Sequence, residues 1–282
     1  MIIIKLTKGL RDYLDKQNFS GKSIGFVPTM GALHEGHLAL IKECRKVAKL
    51  TICSIFVNPL QFNNADDLKK YPKTIENDIL LLEENGCDIL FLPGEKEIYP
   101  DAKSREKHYD LGYLETILEG KFRPGHFQGV CMVVEKLLNI VDPDYLFMGQ
   151  KDFQQCLIIE RLIVLMHKNV QLIIFPIHRE KSGLAMSSRN VRLNSDERIK
   201  ASQLHKSLVS IKNKLIENNF SALKNKTIID LEKIGFKVDY LELAKRKNLE
   251  IITHFNNGEE IVILVAAFLN DVRLIDNLLI KR

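Results

Sequence analysis

Runs of apolar, β-branched residues alternate with helical patterns over the first two-thirds of this chain. The alternating segments are 24–27 (strand), 37–49 (helix), 50–57 (strand), 74–85 (helix), 88–92 (strand), 127–139 (helix), 144–148 (strand), 153–168 (helix) and 170–176 (strand). Such alternation predicts a parallel sheet with right-handed crossover connections. The expected fold class is therefore α/β, with a Rossmann-like parallel sheet as its main part.

The composition changes after Pro176, which predicts a second domain. A polar segment at 180–190 is followed by a lysine-rich helical pattern at 195–218. Further strand-like runs are 237–243, 259–268 and 272–275. We expect residues 1–177 to form the sheet domain and residues 178–282 to form a smaller C-terminal α+β domain that acts as a lid.

The bulk composition is that of an ordinary globular protein, with 45% hydrophobic and 27% charged residues. Lys and Arg exceed Asp and Glu by 41 minus 36, and this charge of +5 is too small and dispersed to indicate nucleic acid. It suits an anionic substrate, and a solvated surface explains it equally well. The five cysteines show no C-x-x-C pairing, which indicates buried thiols in a reducing compartment. No apolar stretch has membrane-spanning length and none resembles a signal peptide, so we expect a cytoplasmic protein without membrane partners.

One string, PTMGALHEGH at residues 28–37, joins the first strand-like run of the sheet to its helix. A glycine turn at this place offers backbone N–H groups and the positive end of the helix dipole to an anion. His34 and His37 add donors beside it, and Gly31 and Gly36 remove side chains that would keep a ligand off the backbone. The string therefore predicts a phosphate site. The alternative is a glycine-rich turn that only ends a strand.

Two better-known motifs are excluded by single positions. His34-Glu35 opens like the zinc-protease pattern His-Glu-x-x-His, but position 38 is Leu where the second zinc ligand would stand. Gly21-Lys22-Ser23 resembles the tail of a P-loop, but position 16 is Lys rather than Gly, and the strand follows the motif instead of preceding it.

Further polar motifs follow later strands of the predicted sheet. Asn58-Pro59-Leu60-Gln61-Phe62 comes after the second strand and Gly149-Gln150-Lys151-Asp152 after a later one. Because ligands collect beyond the carboxyl ends of parallel strands, these motifs and residues 34–37 are expected at one edge of the sheet. Each alone is also compatible with turn chemistry. Residues 120–126 are predicted to form a mobile, basic loop.

Charged and hydroxyl side chains in two of the loops suit a polyphosphate. Lys151 follows a buried strand as a compact positive charge, and Asp152 can cap the next helix or bind a ribose hydroxyl. The string AMSSRN at 185–190 supplies Ser187, Ser188 and the guanidinium of Arg189 to phosphate oxygens.

The string at 28–37 resembles the HIGH-type motif of a nucleotidyl-transfer superfamily, and AMSSRN resembles that superfamily's KMSKS-type loop. In detail the chain resembles the pantothenate synthetase (pantoate–β-alanine ligase) family from Ile24 to about Asn277. The resemblance is densest at 26–37, 54–62, 149–155 and 179–190, and includes the closing Arg273-Leu274-Ile275-Asp276-Asn277. Residues 1–177 are accordingly expected to bind ATP and pantoate.

The resemblance implies a role for particular residues. The ATP contacts would be Met30, Gly31, Ala32, Leu33, His34, Glu35, Gly36, His37, Gly149, Gln150, Lys151, Asp152, His178, Met186, Ser187, Ser188 and Arg189. His37, as proton donor, with His34 and Lys151 would form the catalytic set. Gln61 and Gln155 would bind pantoate, and Gln61 would also contact β-alanine.

The implied reaction is the ATP-dependent condensation of (R)-pantoate with β-alanine through pantoyl adenylate, with release of pyrophosphate and then AMP. The family often has adjacent acids near the helix after Tyr71-Pro72, whereas this chain has Asn77-Asp78. Asp78 is therefore the expected protein ligand of a metal, and Mg²⁺ is expected mainly as a companion of ATP. The resemblance also implies a homodimer.

Two alternative functions use part of the same pattern. A nucleotidylyltransferase acting on a phosphorylated acceptor would use both superfamily motifs, although Gln61 and Gln155 favour a small hydroxy acid. A nucleotide-binding regulatory module would need the glycine turn, but not two histidines, Lys151 and the Ser-Ser-Arg loop together.

Overall fold

The computed structural model of the protein describes residues 1–16 and 23–281. The chain divides into two compact units, Met1–Gly149 with Gln155–Pro176 and Gln150–Gln154 with Ile177–Arg282. The sequence analysis cut the chain once, between 177 and 178, whereas residues 150–154 pack with the second unit. Gly21 and Lys22, which belong to the excluded P-loop motif, lie outside the described residues.

The first unit alternates strands and helices in the predicted order. Its strands are β1 (Ile2–Ile4), β2 (Ile24–Thr29), β3 (Leu50–Ile55), β4 (Ile89–Phe91), β5 (Tyr145–Gly149) and β6 (Gln171–Phe175). Its helices are α1 (Thr7–Lys16), α2 (Glu35–Val47), α3 (Ala65–Lys69), α4 (Ile75–Glu84), α5 (Glu95–Ile98), α6 (Leu118–Phe122), α7 (His126–Val141) and α8 (Phe153–Leu165), of which α8 begins within the segment 150–154.

These strands form one parallel sheet in the order β1-β4-β3-β2-β5-β6. Ile24 of β2 pairs with Leu50 of β3, and Gly25 of β2 pairs with Tyr145 of β5. The order confirms the predicted Rossmann-like α/β class. Between β2 and β5 the succession of strands reverses direction, and in sheets of this kind that switch point is where ligands bind beyond the carboxyl ends of the strands.

Successive residues of the central strands enter different hydrophobic clusters. Phe26 and Ile52 pack in the cluster that contains α7, whereas their neighbours Val27 and Cys53 pack in the one that contains Ile41 of α2. This alternation follows from the two-residue period of a strand. Because both faces of the sheet are covered, the strands have near-continuous apolar sequences.

Two aspartates extend the pairing of the parallel strands by two hydrogen bonds each. Asp144 precedes β5, and its Oδ2 accepts from the backbone N–H of Ile24 at 2.7 Å while its own N–H donates to the Ile24 carbonyl. Asp88 precedes β4 and makes the same pair of bonds with Thr51 of β3, with a side-chain distance of 2.8 Å. A short acidic side chain before a strand thus fixes where the neighbouring strand pairs.

The second unit is α+β, as predicted. Its helices are α9 (Ser195–Ala201), α10 (Gln203–Lys214) and α11 (Phe220–Lys233). Its strands are β7 (Phe236–Lys245), β8 (Ile251–Ile252), β9 (Ile261–Leu269) and β10 (Val272–Ile280). The strands pair antiparallel in the order β10-β9-β7-β8. Apolar residues of α10, among them Leu204 and Leu208, share one core with Leu241 of β7 and Val265 of β9.

Two local predictions differ from the structure. The helical pattern at 195–218 is two helices that meet at Ser202, whose hydroxyl donates to the Ile199 carbonyl at 2.7 Å; such a bond competes with the helix backbone. The predicted loop at 120–126 is in part the short helix α6, anchored by the buried Glu119 that pairs with Arg123. Among the described residues, no helix is long and apolar enough to cross a membrane.

We expect Asp144→Ala to lower the free energy of unfolding by about 1 kcal/mol, the usual net value of one hydrogen bond, because the Ile24 N–H loses its acceptor. Asp144→Asn keeps an acceptor oxygen and should cost less. Asp12→Ala, which removes an exposed aspartate from α1, is the control and should change little. Urea unfolding of the three variants gives the comparison, and equal losses for Ala and Asn would contradict the proposed bond.

Candidate active site

The loop after β2 wraps around one buried carboxylate. Asp78 of α4 is 0% exposed, and its Oδ2 and Oδ1 accept from the backbone N–H groups of Ala32 (2.9 Å) and Leu33 (2.8 Å). The hydroxyl of Thr74 donates to Oδ1 at 3.1 Å. A buried carboxylate is costly unless it is hydrogen-bonded, and these donors come from the loop and from the N-cap of its own helix.

Gly31 is required by the same packing. Its φ of +78° is disfavoured for other residues, and a Cβ there would lie 3.0 Å from both Asp78 Oδ2 and the Ile55 side chain. Ala32 follows at φ +49°, a left-handed conformation that is unusual for alanine. The hydrogen bonds to Asp78 hold the backbone in this conformation.

His34 and His37 cap helix α2 together. His34 is the N-cap and its Nδ1 accepts from the Gly36 N–H at 3.2 Å, while Nδ1 of His37 accepts from the His34 N–H at 3.4 Å. The two rings stack with centroids 4.1 Å apart. Since each Nδ1 is an acceptor, each neutral ring carries its proton on Nε2. The pair therefore presents two Nε2–H donors.

The sequence predicts that backbone N–H groups at the start of α2 bind an anion. In the structure Ala32 and Leu33 donate to Asp78, and His34 and Gly36 donate to the imidazoles. These four N–H groups therefore have partners within the protein itself, and the anion site stays a prediction.

The structure shows a structural role for Asp78, because both of its oxygens accept hydrogen bonds from the loop and Oδ1 also accepts from Thr74. Its expected role as a metal ligand stays a prediction. Within residues 1–16 and 23–281, no three His, Cys, Asp or Glu side chains are grouped so as to hold a metal ion.

A second loop, after β3, fixes the direction of the Gln61 amide. Asn58, 1% exposed, donates through Nδ2 to Gln61 Oε1 (3.2 Å) and to the Gly129 carbonyl (2.9 Å). Gln61 Nε2 in turn points to Met30 Sδ at 3.0 Å. The oxygen of the Gln61 amide is thereby held against the protein, and its NH₂ group lies beside the loop after β2.

Tyr99 holds the other end of Asn58. Its hydroxyl donates to Asn58 Oδ1 at 3.0 Å, and burial raises the pKa of Tyr99 well above its ordinary value, so it remains a donor. Helix α7 supports the same turn: His126 Nδ1 lies 2.7 Å from the Gln61 carbonyl oxygen. A Cβ on Gly129 would lie 2.2 Å from the Leu60 carbonyl oxygen, so only glycine permits this approach. The sequence pattern placed Asn58 in a polar motif at this edge without giving it a role of its own, and no signal in the sequence indicated Tyr99.

The two loops lie at one edge of the sheet, as predicted. Strand β2 is flanked by β3 and β5 in parallel, so the segments after Thr29, Ile55 and Gly149 leave the sheet on the same side. The segment after Gly149 is a 3-10 turn, Gln150–Asp152, in which Lys151 Nζ lies 3.7 Å from Asp152 Oδ2. Gln155 is partly buried on α8.

The remaining predicted site residues lie in the second unit. The backbone N–H of Met186 donates to the His178 carbonyl at 3.0 Å, next to a β-bridge between Arg179 and Ala185. Ser187 caps the turn Ser188–Arg192 by accepting from the Arg189 N–H at 3.3 Å. The polar string at 185–190 is therefore an ordered hairpin arm and turn.

Four of the five cysteines are unsuited to nucleophilic catalysis. Burial raises the pKa of Cys44 to about 11 and of Cys87 and Cys131 to about 12, and raises that of Cys53 as well. Thiols with such pKa values stay protonated near neutral pH, and the thiolate is the reactive form. The arrangement of imidazole and amide donors instead suits the binding of oxygen-rich, anionic ligands.

Comparison with known proteins gives matches over the whole chain. The model of the pantoate-beta-alanine ligase family matches residues 2–279. The pantothenate synthetase of Cytophaga hutchinsonii is 42% identical, with 99% of each chain covered, and that of Coprothermobacter proteolyticus is 42% identical, with 100% of this chain and 99% of the relative covered.

Solved structures agree with these matches. Pantothenate synthetase from Thermus thermophilus superposes with a TM-score of 0.89 at 36% identity, covering 99% of both chains. The pantoate-beta-alanine ligase of Francisella tularensis, solved with beta-gamma ATP and beta-alanine, has a TM-score of 0.81 at 37% identity, covering 99% of this chain and 97% of that one.

For the loop around Asp78, we expect Asp78→Asn to destabilise the protein by about 1–3 kcal/mol, because one backbone N–H would face the NH₂ group instead of an oxygen. The amides of Ala32 and Leu33 should also exchange faster with solvent. Thr74→Val removes the third bond and leaves the two backbone bonds, so it is the matched control. Hydrogen exchange with unchanged protection of Ala32 and Leu33 in Asp78→Asn would refute this role.

Proposed function

The chain belongs to the pantoate–β-alanine ligase family, and from this premise we propose that it condenses (R)-pantoate with β-alanine through a pantoyl-adenylate intermediate. In the first step a pantoate carboxylate oxygen attacks the α-phosphorus of ATP, and the bond to the bridging oxygen breaks to release pyrophosphate. In the second step the β-alanine amine attacks the activated carbonyl carbon, and AMP leaves with the former carboxylate oxygen. The amine proton is lost as the amide forms.

The fixed Gln61 amide is the observation that best supports a pantoate site. Because Asn58 holds Oε1, the NH₂ group of Gln61 is the part available to a ligand beside Met30. Pantoate offers a carboxylate and hydroxyls, all of which accept hydrogen bonds. We assign Gln61 to pantoate and β-alanine, and Gln155 to pantoate, on the family resemblance.

The two histidines are proposed to stabilise charge on the phosphates. Donors held in place before the reaction begins lower the barrier most effectively when they point to where negative charge develops. The Nε2–H groups of His34 and His37 fit this role, with His37 as proton donor. No covalent protein intermediate is required, so catalysis consists of positioning and charge stabilisation.

The other ATP contacts are proposals from the resemblance alone. They comprise residues 30–37, together with Gly149, Gln150, Lys151, Asp152, His178, Met186, Ser187, Ser188 and Arg189. Mg²⁺ is expected to arrive with the ATP phosphates, which commonly bind it with water. A lid role for residues 178–282, a homodimer and a cytoplasmic location stay predictions; sedimentation velocity tests the dimer.

The proposed intermediate predicts a partial reaction. With pantoate and ATP but without β-alanine, labelled pyrophosphate should exchange into ATP, because the first step is then reversible. β-Alanine alone should not support exchange. A complete reaction that yields pantothenate, AMP and pyrophosphate without any pantoate-dependent exchange, under conditions where pyrophosphate rebinds, would favour a concerted route instead.

Replacement of His37 tests the catalytic assignment. We expect His37→Ala to lower turnover by roughly 10² to 10⁴, the usual range for a positioned acid–base group. The variant should remain folded by circular dichroism, since His37 is only partly buried. Near-normal turnover in a folded variant would exclude the assigned role.

An isosteric change at Gln61 tests the pantoate site. In Gln61→Glu the group beside Met30 becomes an oxygen that repels the pantoate carboxylate, so pantoate-dependent exchange should fall by about tenfold or more. ATP affinity, measured by titration without pantoate, should be nearly unchanged and serves as the internal control. An unaltered KM for pantoate would place its binding elsewhere.

A further inference from the structure

Two distant segments of the second unit carry residues assigned to ATP. One is the turn Gln150–Asp152, which contains Lys151, and the other is the segment 178–189, which contains His178 and Arg189. The turn at 150–152 contacts Asn277, and the segment 178–189 contacts Asp276. Asp276 and Asn277 are adjacent residues of β10. These two side chains are polar and almost completely buried, with exposures of 4% and 2%.

Asn277 is bonded to the turn at 150–152 through its whole amide group. Its Oδ1 accepts from Gln150 Nε2 at 2.9 Å, and its Nδ2 donates to the carbonyl oxygens of Gln150 (2.9 Å) and Lys151 (3.0 Å). The backbone on both sides of Lys151 is therefore attached to β10. The position from which the Lys151 side chain extends is set by these bonds.

Asp276 is bonded to the second segment through Arg179. The guanidinium donates through Nη1 and Nη2 to Oδ2 and Oδ1 at 2.7 and 2.8 Å, a bidentate ion pair, and Nη1 also donates to the Gly183 carbonyl. Arg179 lies directly after His178 and forms a β-bridge with Ala185, the residue before Met186. Bidentate pairs restrict geometry more strongly than single ion pairs.

We propose that Asp276 and Asn277 are positioning residues for ATP use, with Asn277 acting through Lys151 and Asp276 acting through the segment 178–186. This inference rests on the proposed function, which assigns those two segments to ATP binding. Two adjacent residues on one rigid strand keep the two segments at a fixed spacing. Catalytic groups supported by buried bonds to a strand are located more exactly than groups on unsupported loops.

The alternative is that Asp276 and Asn277 only stabilise the fold. A second ion pair made by β10 serves as the control for that effect. Arg273 of β10 pairs with Asp239 of β7 at 2.8 Å, with both side chains largely buried. The Arg273–Asp239 bond joins two strands of the antiparallel sheet and includes neither of the two segments assigned to ATP. Asp239→Asn is therefore a matched control, because it removes a similar ion pair whose other partner, Arg273, lies on β10.

The first experiment is a double-mutant cycle on ATP binding, measured by calorimetric titration with ATP alone. We expect Asn277→Ala to weaken binding about tenfold, and Lys151→Ala to weaken it at least as much. The double variant should be no more than about twofold worse than Lys151→Ala, since residues that act through one another are non-additive. Asp239→Asn should stay within about twofold of the unaltered protein.

The outcomes separate the possibilities. Multiplicative effects of Asn277→Ala and Lys151→Ala, or an equal loss in Asp239→Asn, would overturn the proposal. Asn277→Asp is a second variant of nearly the same shape, in which an oxygen would face two carbonyl oxygens, and it should weaken ATP binding as well. If the protein binds ATP but shows no pantoate-dependent exchange of pyrophosphate into ATP, the proposed function is wrong. The ATP titrations of the variants still test the positioning role of Asn277.

Hydrogen exchange of the folded protein gives an independent measurement. Asp276→Asn should increase exchange of the Met186 amide, which donates to His178. Asn277→Ala should increase hydrogen exchange of the backbone amides that follow Gly149 and leave the Met186 amide protected. A general destabilisation would raise both together, and that pattern would contradict separate positioning through the two segments.

Discussion

The carboxylate of Asp78 and the two backbone N–H groups that donate to it are the contact on which the first unit's site depends. The loop at 30–34 contains a left-handed glycine and a left-handed alanine, which an open turn would not hold. Two hydrogen bonds from Ala32 and Leu33 to one buried carboxylate hold that conformation. The conformation in turn sets where α2 begins, and with it the position of His34 and His37.

The loop after β3 is likewise held by hydrogen bonds to a buried polar side chain, Asn58. Buried polar groups must find partners, and a side chain whose partners are all specified adopts one orientation. Asn58 accepts from the Tyr99 hydroxyl and donates to Gln61 and Gly129, so the Gln61 amide has a defined oxygen end and a defined NH₂ end. Asn58 and Tyr99 thus determine which end of the Gln61 amide is turned away from the protein, and they need not contact a ligand to do so.

Backbone N–H groups at a helix start often bind phosphate, whereas those of His34 and Gly36 donate to the Nδ1 atoms of the two imidazoles. A histidine pair so constrained offers Nε2–H groups whose direction does not depend on solvent. The pattern His-x-Gly-His has a structural cause as well as a chemical one, because the two rings form a reciprocal helix cap.

The sequence by itself determined the order of strands and helices, the parallel sheet and the edge at which the motifs lie, because these follow from hydrophobic period and from chain connectivity. It also identified the motif at 28–37 and the family. Only the tertiary structure decided that Asp78 holds the loop after β2, that Asn58 orients Gln61, and that Asp276 and Asn277 hold two separate segments. The bonds from Ala32 to Asp78 and from Gln150 to Asn277 join residues 46 and 127 positions apart. A polar residue's identity gives its capacity to donate or accept, whereas its partner is fixed only when the packed elements bring one atom within reach.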